Sequence, residues 1–120
     1  MKLEKKDQRS LKKLAWKYFS EHIRKNSPKC FTCDIIKPYK ELQAGHWRHG
    51  HTKVGFFDER NVHSQCPKCN TYLSGNLGEY TLRMTKIYGN KTEQMWKEFS
   101  KDHNFTRKEL ILLIRKYKNV

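Results

Sequence analysis

Long apolar runs and acidic side chains are what this sequence has least of. No uninterrupted run of about 18 apolar residues occurs in its 120 residues, so no membrane-spanning helix is predicted. The first ten residues are charged and lack the apolar core of a secretory signal. These absences predict a cytoplasmic protein that has no membrane partner.

Apolar residues are sparse overall, at 36% of the chain. A chain of this length buries roughly 65% of its unfolded surface on folding, which leaves a thin core. We expect one domain over residues 1–120, made of a basic N-terminal helix (1–29), a central core (30–89) and C-terminal helices (90–120). Something besides apolar packing is expected to stabilise it.

The shortage of acidic residues gives the chain a formal net charge of +14. Residues 1–29 carry 10 basic and 3 acidic side chains, residues 30–70 carry 6 and 4, and residues 71–120 carry 10 and 5. This excess predicts a polyanionic partner, most commonly nucleic acid, held by the flanks. The side chains expected to contact phosphates are Lys12, Lys13, Arg48, Lys53, Arg83 and Lys86.

Apolar periodicity predicts several helices and one hairpin, an α+β fold. The stripe from Leu11 to Ile23 predicts a helix over 7–25, and the apolar positions after Cys69 predict another that continues to Gly89. Shorter helices are expected over 92–101 and from Thr106, whose spacing to Glu109 is that of a capping box. Alternation predicts two strands, one with Leu42, Ala44 and His46 and one with Asn61, His63 and Gln65.

The four cysteines form two pairs with the pattern C-x2-C-x32-C-x2-C, at Cys30, Cys33, Cys66 and Cys69. Two such knuckles can present four thiolates to one tetrahedral zinc ion. A disulfide framework is the alternative, which a cytoplasmic compartment disfavours. A four-cysteine zinc site is coordinatively closed, so this ion would be structural and would stabilise the small core.

Polar residues between and beside the cysteine pairs suit phosphodiester hydrolysis. A neutral imidazole is a general base near pH 7, and an amide oxygen suits Mg²⁺. The order of His46 on the first strand, Asn61 on the second and Asn70 directly after the last cysteine resembles that of the HNH (His-Me finger) endonucleases, which have a ββα-metal fold. That resemblance implies that His46 is the general base, Asn61 orients the loop and Asn70 binds a catalytic Mg²⁺ or Mn²⁺.

A closer resemblance is to the NinG/Rap family of phage recombination proteins. The motifs that carry it are Trp16-Lys17-Tyr18-Phe19-Ser20, Cys30-Phe31-Thr32-Cys33, Phe57-Asp58-Glu59-Arg60-Asn61-Val62-His63 and Leu73-Ser74-Gly75-Asn76. The resemblance implies a structure-specific endonuclease of the bacterial host cytoplasm. It would cut Holliday junctions and D-loops to leave 5′-phosphate and 3′-hydroxyl ends. Symmetric cutting of a four-way junction would favour a homodimer.

One departure from the HNH pattern leaves the second metal ligand unassigned, because Gly45 stands where many of these enzymes have aspartate. His63 is our first candidate for this ligand and for a catalytic role, followed by His49, His51 and Asp58. Alternatively, His46 binds the metal directly and another histidine is the base. Asn70 has a structural alternative too, since asparagine tolerates a left-handed backbone after a knuckle cysteine.

A non-catalytic zinc-ribbon module that binds DNA and recruits recombination proteins is the rival function. Both functions predict DNA binding that weakens with salt, so a binding assay does not distinguish them. An assay of metal-dependent DNA cleavage distinguishes them, because only the endonuclease cuts.

Overall fold

Helices surround a small antiparallel hairpin in the computed structural model, which describes residues 2–118. In chain order, the described elements are α1 (Gln8–Asn26), β1 (Gln43–His46), β2 (Val62–Gln65), α2 (Leu77–Tyr88), α3 (Thr92–Phe99) and α4 (Arg107–Lys118). The predicted combination of helices with one hairpin is confirmed. No helix of the described part is long and apolar enough to cross a membrane.

Helix α1 lies within a residue of the predicted bounds and packs against α4. Its N-terminus is capped by Asp7, whose carboxylate accepts a hydrogen bond of 2.8 Å from the amide of Ser10. The apolar stripe is buried and forms the first core with residues of the hairpin and α4. Its buried members are Leu11, Ala15, Phe19, Ile23, Ala44, Phe57, Val62, Leu110, Ile114 and Tyr117.

The predicted capping box at the start of α4 is confirmed. The amide of Thr106 donates to Glu109 Oε1 at 2.9 Å, and the amide of Glu109 donates to Thr106 Oγ1 at 3.1 Å. These reciprocal bonds satisfy two amides that the first helical turn leaves unpaired. Helix α4 therefore begins directly after Thr106, at Arg107.

The hairpin divides the fold into two sides because side chains alternate along each strand. Ala44 and Val62 belong to one face, which packs on the α1–α4 core. The cross-strand pairs are Gln43↔Gln65, Ala44↔Ser64, Gly45↔His63 and His46↔Val62. A second core of Trp47, Tyr80, Met84, Met95 and Phe99 lies between the hairpin, α2 and α3.

The prediction of a continuous helix from Leu73 to Tyr88 is wrong. A single π-helical turn, Lys68–Tyr72, follows the second cysteine pair, and α2 begins only at Leu77. Between them Ser74, Gly75 and Asn76 all have positive φ values, of 50°, 96° and 48°. Three consecutive left-handed residues cannot continue a right-handed helix. The apolar periodicity was misleading since Leu73 is 45% exposed.

Burial predicts very different effects for two leucines of α4. Leu110 is fully buried and Leu112 is 56% exposed. Leu110→Ala should lower the free energy of unfolding by about 2–5 kcal/mol through lost burial and a cavity. Leu112→Ala should change it by less than about 0.5 kcal/mol. Urea unfolding of both variants measures this, and equal losses would contradict the packing of α4 on α1.

Candidate active site

The two cysteine pairs meet between the hairpin and the π-helical turn. The sulfur atoms of Cys30, Cys33, Cys66 and Cys69 all lie within 4.8 Å of one another, and only Cys33 is exposed. This arrangement positions four soft ligands for one tetrahedral metal ion. The predicted convergence of the two knuckles is therefore confirmed.

The chemistry of the sulfur cluster requires a cation if all four groups are to be thiolates. Burial and hydrogen bonds with the neighbouring thiols raise the pKa of Cys33 to about 12. A bound divalent ion reverses this preference because it deprotonates its thiol ligands. Two polar side chains orient the sulfurs: the Thr32 hydroxyl lies 3.5 Å from Cys30 Sγ, and the Asn76 amide donates to Cys69 Sγ at 3.7 Å.

His46 is held in one orientation and one tautomer at the end of β1. Its ring packs against those of Trp16 and Phe56, at centroid distances of 5.0 and 4.7 Å, and these two rings also contact each other at 5.1 Å. Its Nε2 lies 3.0 Å from the carbonyl oxygen of Phe56. A carbonyl only accepts, so Nε2 carries the proton and Nδ1 keeps its lone pair. Burial lowers the pKa of His46 to about 4, so the imidazole is neutral at pH 7.

Asn61 clamps the loop that joins the two strands. Its side chain is fully buried; Oδ1 accepts from the amide of Arg48 at 2.9 Å, while Nδ2 donates to the carbonyls of Arg48 and Gly55. Gly55 is needed there because a Cβ on it would stand 2.7 Å from Asn61 Nδ2. With all these groups paired, Asn61 orients the loop that carries Arg48 and His49.

Gln65 Oε1 and Asn70 Oδ1 converge on the side of Gly45 that carries no side chain, and we call this the oxygen-lined space. A Cβ on Gly45 would stand 1.8 Å from Gln65 Oε1 and 2.8 Å from Asn70 Oδ1, so the glutamine oxygen occupies the place of that side chain. Gln65 Oε1 is buried without a hydrogen-bond partner, which costs about 1–3 kcal/mol when nothing binds it. Two amide oxygens suit a hard divalent cation, so these residues fit the site of Mg²⁺ or Mn²⁺ that Asn70 was expected to form.

Sequence reasoning did not single out Gln65, whose unpaired oxygen lies beside Gly45. The available signal was its position directly before Cys66, on the same strand face as His63. The left-handed alternative for Asn70 is wrong, because the non-glycine residues with positive φ in residues 2–118 are Asp34, Ser74 and Asn76.

His63 lies on the hairpin face opposite to that of His46. Its ring stacks on Phe31 at 4.0 Å, and its Nδ1 lies 2.8 Å from the Tyr80 hydroxyl. That hydroxyl donates to the carbonyl of Gly45, so His63 Nδ1 is the donor to Tyr80. His63 borders a cavity of about 390 Å³ that His22, Glu59 and Lys86 also line, whereas Asn70 does not.

The remaining loop candidates are placed differently from one another. His49 Nε2 lies 3.2 Å from where a Cβ on Gly75 would stand, and the His49 ring is 6.1 Å from that of His46. His51 is exposed. Asp58 receives bonds from the backbone and guanidinium of Arg60. His49 thus lies beside Gly75, whose carbonyl accepts from Gln65 Nε2.

The six basic residues expected at the DNA interface fall into two groups. Lys12, Lys13, Arg48 and Lys53 belong to α1 and the loop after β1; Lys12 Nζ lies 5.2 Å from the centre of the Phe56 ring that stacks on His46. Lys53 pairs with Asp102 at 2.6 Å. The other group, Arg83 and Lys86, lies on α2 beside the His63 cavity, where Arg83 bonds to Asp34 and Glu79.

The whole chain, residues 1–120, matches the family described as Bacteriophage Lambda NinG protein. The chain belongs to the NinG family. It is 30% identical over 89 residues to the NinG protein of Escherichia phage 933W, which covers 73% of this chain and 44% of the relative. The NinG protein of Salmonella phage P22 is 32% identical over 81 residues, or 67% of this chain and 39% of that protein. No solved structure matches the chain.

The chain spans less than half the length of these NinG relatives along the matched region. Activities, substrates and partners of the complete relatives therefore come to this chain only as proposals. Family membership rests on the match over all 120 residues and agrees with the motifs around Cys30, His46 and Cys66.

Cobalt provides a direct test of the cysteine cluster in this NinG-family chain. Metal-free reduced protein titrated with Co²⁺ should develop thiolate charge-transfer and tetrahedral d–d bands that saturate at one ion per chain. Cys66→Ser should weaken this binding and lower the melting temperature, because metal binding is also folding free energy. Mass spectrometry that found two disulfides in the native protein, with no cobalt bands, would contradict the metal centre.

Two buried neutral histidines predict how stability depends on pH. The pKa of His46 and that of His63 are lowered to about 4 by burial, whereas an unfolded histidine titrates near 6.5. The unfolded chain therefore binds protons first, and the free energy of unfolding falls between about pH 6.5 and 4. Each histidine should contribute a loss of about 2 kcal/mol between pH 7 and 5.

Urea unfolding of His63→Gln at both pH values checks this dependence, because the variant keeps a donor for Tyr80 and removes one titrating group. It should lose about 2 kcal/mol less than the wild type between pH 7 and 5. His51→Gln, at an exposed position of the strand-connecting loop, is the matched control. Identical pH dependence in both variants would contradict the buried, neutral state of His63.

Proposed function

We propose that this chain is a metal-dependent, structure-specific DNA endonuclease that cuts branched recombination intermediates such as Holliday junctions and D-loops. Its products carry 5′-phosphate and 3′-hydroxyl ends. The observation that carries the proposal is the fixed, neutral imidazole of His46 directly after Gly45, where two amide oxygens converge. The HNH-like order of His46, Asn61 and Asn70 and the membership of the NinG family support it.

His46 is the general base in this proposal. Nδ1 accepts a proton from the attacking water, while the Phe56 carbonyl accepts from Nε2–H and the ring stays packed against Trp16 and Phe56. Burial keeps the imidazole neutral before substrate binds. The negative phosphodiester then favours the protonated ring, which raises the pKa of His46 when the proton must be taken up.

Asn70 is the residue we assign to hold the catalytic cation, through Oδ1. Its Nδ2 donates to Gln43 Oε1 at 2.8 Å, which leaves Oδ1 directed to the space beside Gly45. A Mg²⁺ or Mn²⁺ held there would supply positive charge to stabilise the phosphate and the leaving oxygen. His63, our first candidate for a second ligand, stays a prediction; its Nδ1 is occupied by Tyr80.

The four-cysteine cluster is assigned to a structural zinc ion. Four protein ligands close the tetrahedral coordination, so no position remains for a reacting water. Cys30, Cys33, Cys66 and Cys69 would hold this ion, which would fix the segment around Cys30 against the end of β2 and so keep Gln65 and Asn70 in place.

Lys12 and Arg48 are the basic residues best placed to bind the phosphates next to the cut. Lys12 contacts Phe56, and the guanidinium of Arg48 lies over the ring of Trp96 at 5.6 Å. Lys13, Lys53, Arg83 and Lys86 add to a sequence-independent grip through phosphates and DNA shape. A homodimer, with one protomer for each strand of a four-way junction, stays a prediction.

Strand cleavage tests this function. Zinc-loaded protein should nick four-way junctions faster than linear duplex of the same sequence in Mg²⁺ or Mn²⁺, and EDTA should abolish nicking. His46→Ala should lower the rate by about 10²–10⁴-fold, the usual contribution of a general base. His103→Ala, which removes an imidazole that contacts Glu109 and Phe105 away from His46, is the matched control and should keep the wild-type rate.

Two results would count against parts of the proposal. Absence of metal-dependent nicking on both substrates, with salt-sensitive DNA binding retained, would favour the non-catalytic zinc-ribbon module. Full activity in His46→Ala would leave the class of enzyme intact and remove His46 as the base.

A further inference from the structure

We propose that Gln65 is the second protein ligand of the divalent cation, through Oε1, and so supplies the oxygen that HNH enzymes take from an aspartate at the position of Gly45. The assignment rests on the proposed function for its choice of cation. It rests on the geometry of Gln65, Asn70 and Gly45 for its location.

The amide of Gln65 has only one possible orientation. Gln65 is fully buried, and its Nε2 donates to the carbonyl of Gly75 at 2.9 Å and to the Thr32 hydroxyl at 3.1 Å. A flipped amide would set Oε1 against the Gly75 carbonyl, and both are acceptors. The bonds to Nε2 therefore direct Oε1 away from Gly75, where it has no donor.

Gln65 Oε1 occupies the place that a side chain at position 45 would take. A Cβ on Gly45 would stand 1.8 Å from Gln65 Oε1 and 2.8 Å from Asn70 Oδ1. Gly45 and Gln65 lie on the same hairpin face, because Gly45 pairs with His63 and Gln65 is two residues further along β2. An aspartate at position 45 would collide with the Gln65 amide, so a glycine at this position is what allows Gln65 to place its oxygen there.

Asn70 directs a second amide oxygen into the same space from the π-helical turn. Its Nδ2 is held by Gln43 Oε1, which also accepts from the Thr71 hydroxyl at 2.9 Å. Two acceptors that face one space need a donor or a cation between them. Divalent magnesium and manganese bind such oxygens while keeping several waters, which leaves positions for the oxygens of a phosphate.

The same segment of the chain carries the second cysteine pair and the two proposed cation ligands. Gln65 precedes Cys66, and Asn70 follows Cys69. The Thr32 hydroxyl that receives Gln65 Nε2 also lies 3.5 Å from Cys30 Sγ. Because the second cysteine pair carries both amides, a cation bound by Gln65 and Asn70 needs the cysteine cluster formed, and the test uses zinc-loaded protein.

Paramagnetic broadening of side-chain amide signals locates the cation in the wild-type chain. Mn²⁺ added in small amounts to zinc-loaded, ¹⁵N-labelled protein should broaden the NH₂ signals of Gln65 and Asn70 first. The exposed Gln94 on α3 is the reference and should stay sharp at the same concentration. Equal broadening of Gln65 and Gln94 would overturn the assignment.

A charge variant tests the ligand directly. Gln65→Glu replaces an amide oxygen by a carboxylate, so it should tighten Mn²⁺ binding at least tenfold in a titration of free Mn²⁺ by electron paramagnetic resonance. Gln94→Glu adds the same charge on α3 and should change the affinity less than twofold. Equal effects of both variants, at one zinc per chain, would overturn the assignment.

The proposed cation site and the proposed nuclease activity can be disproved independently of each other. Selective broadening of Gln65 and Asn70 in a chain that cuts no DNA would uphold the site and overturn the endonuclease. Metal-dependent cutting by a chain whose Gln65 signal stays as sharp as that of Gln94 would uphold the endonuclease and overturn this ligand.

Discussion

The meeting of the four cysteine sulfurs is the contact on which the rest of the structure depends. Each strand of the hairpin has four residues, and a two-stranded sheet of that size is marginal by itself in water. The cluster joins the segment around Cys30 to the end of β2, where the amide of Phe31 also donates to the carbonyl of Ser64 at 2.8 Å. Loss of the cluster would release the hairpin edge and the turn that carries Asn70 together.

Side chains alternate between the two faces of β1, so the neighbouring residues Gly45 and His46 face different surroundings. The amide oxygens of Gln65 and Asn70 lie on the face of Gly45, and His46 turns to the opposite face, where burial keeps its imidazole neutral. The proposed base and the oxygen-lined space are therefore one residue apart in the chain but on opposite faces of the hairpin, so a phosphate that meets both has to lie across the end of β1. The net charge lies mainly outside residues 30–70, so the centre of the chain is nearly neutral.

Much of this architecture follows from spacing that the sequence displays. The cysteine pattern predicted the cluster, the stripe from Leu11 predicted α1, and the Thr106–Glu109 spacing predicted the start of α4. Such features are local or have a fixed periodicity, so they can be predicted without knowledge of tertiary contacts. The break before α2 could not be predicted in this way, because Leu73 continues the apolar period of the helix while residues 74–76 have a left-handed backbone.

The less predictable parts of the site depend on strand register and on backbone atoms. The proton position of His46 is set by the Phe56 carbonyl, and no side-chain pattern reports a backbone contact ten residues away. Gln65 faces Gly45 only because Gly45 pairs with His63, and a shift of one residue would turn Gln65 to the other face. A missing side chain, as at Gly45, becomes informative only when the atoms that surround it are known.

The central claim is that this chain holds two separate metal centres, one structural and one at the site of reaction. Anomalous diffraction at the zinc and manganese edges from a crystal of the wild-type protein grown with Mn²⁺ tests it most directly. The account predicts a zinc peak among the four cysteine sulfurs and a distinct manganese peak bounded by Gln65 Oε1 and Asn70 Oδ1. Manganese absent from the space beside Gly45, or zinc absent from the cysteines, would contradict it.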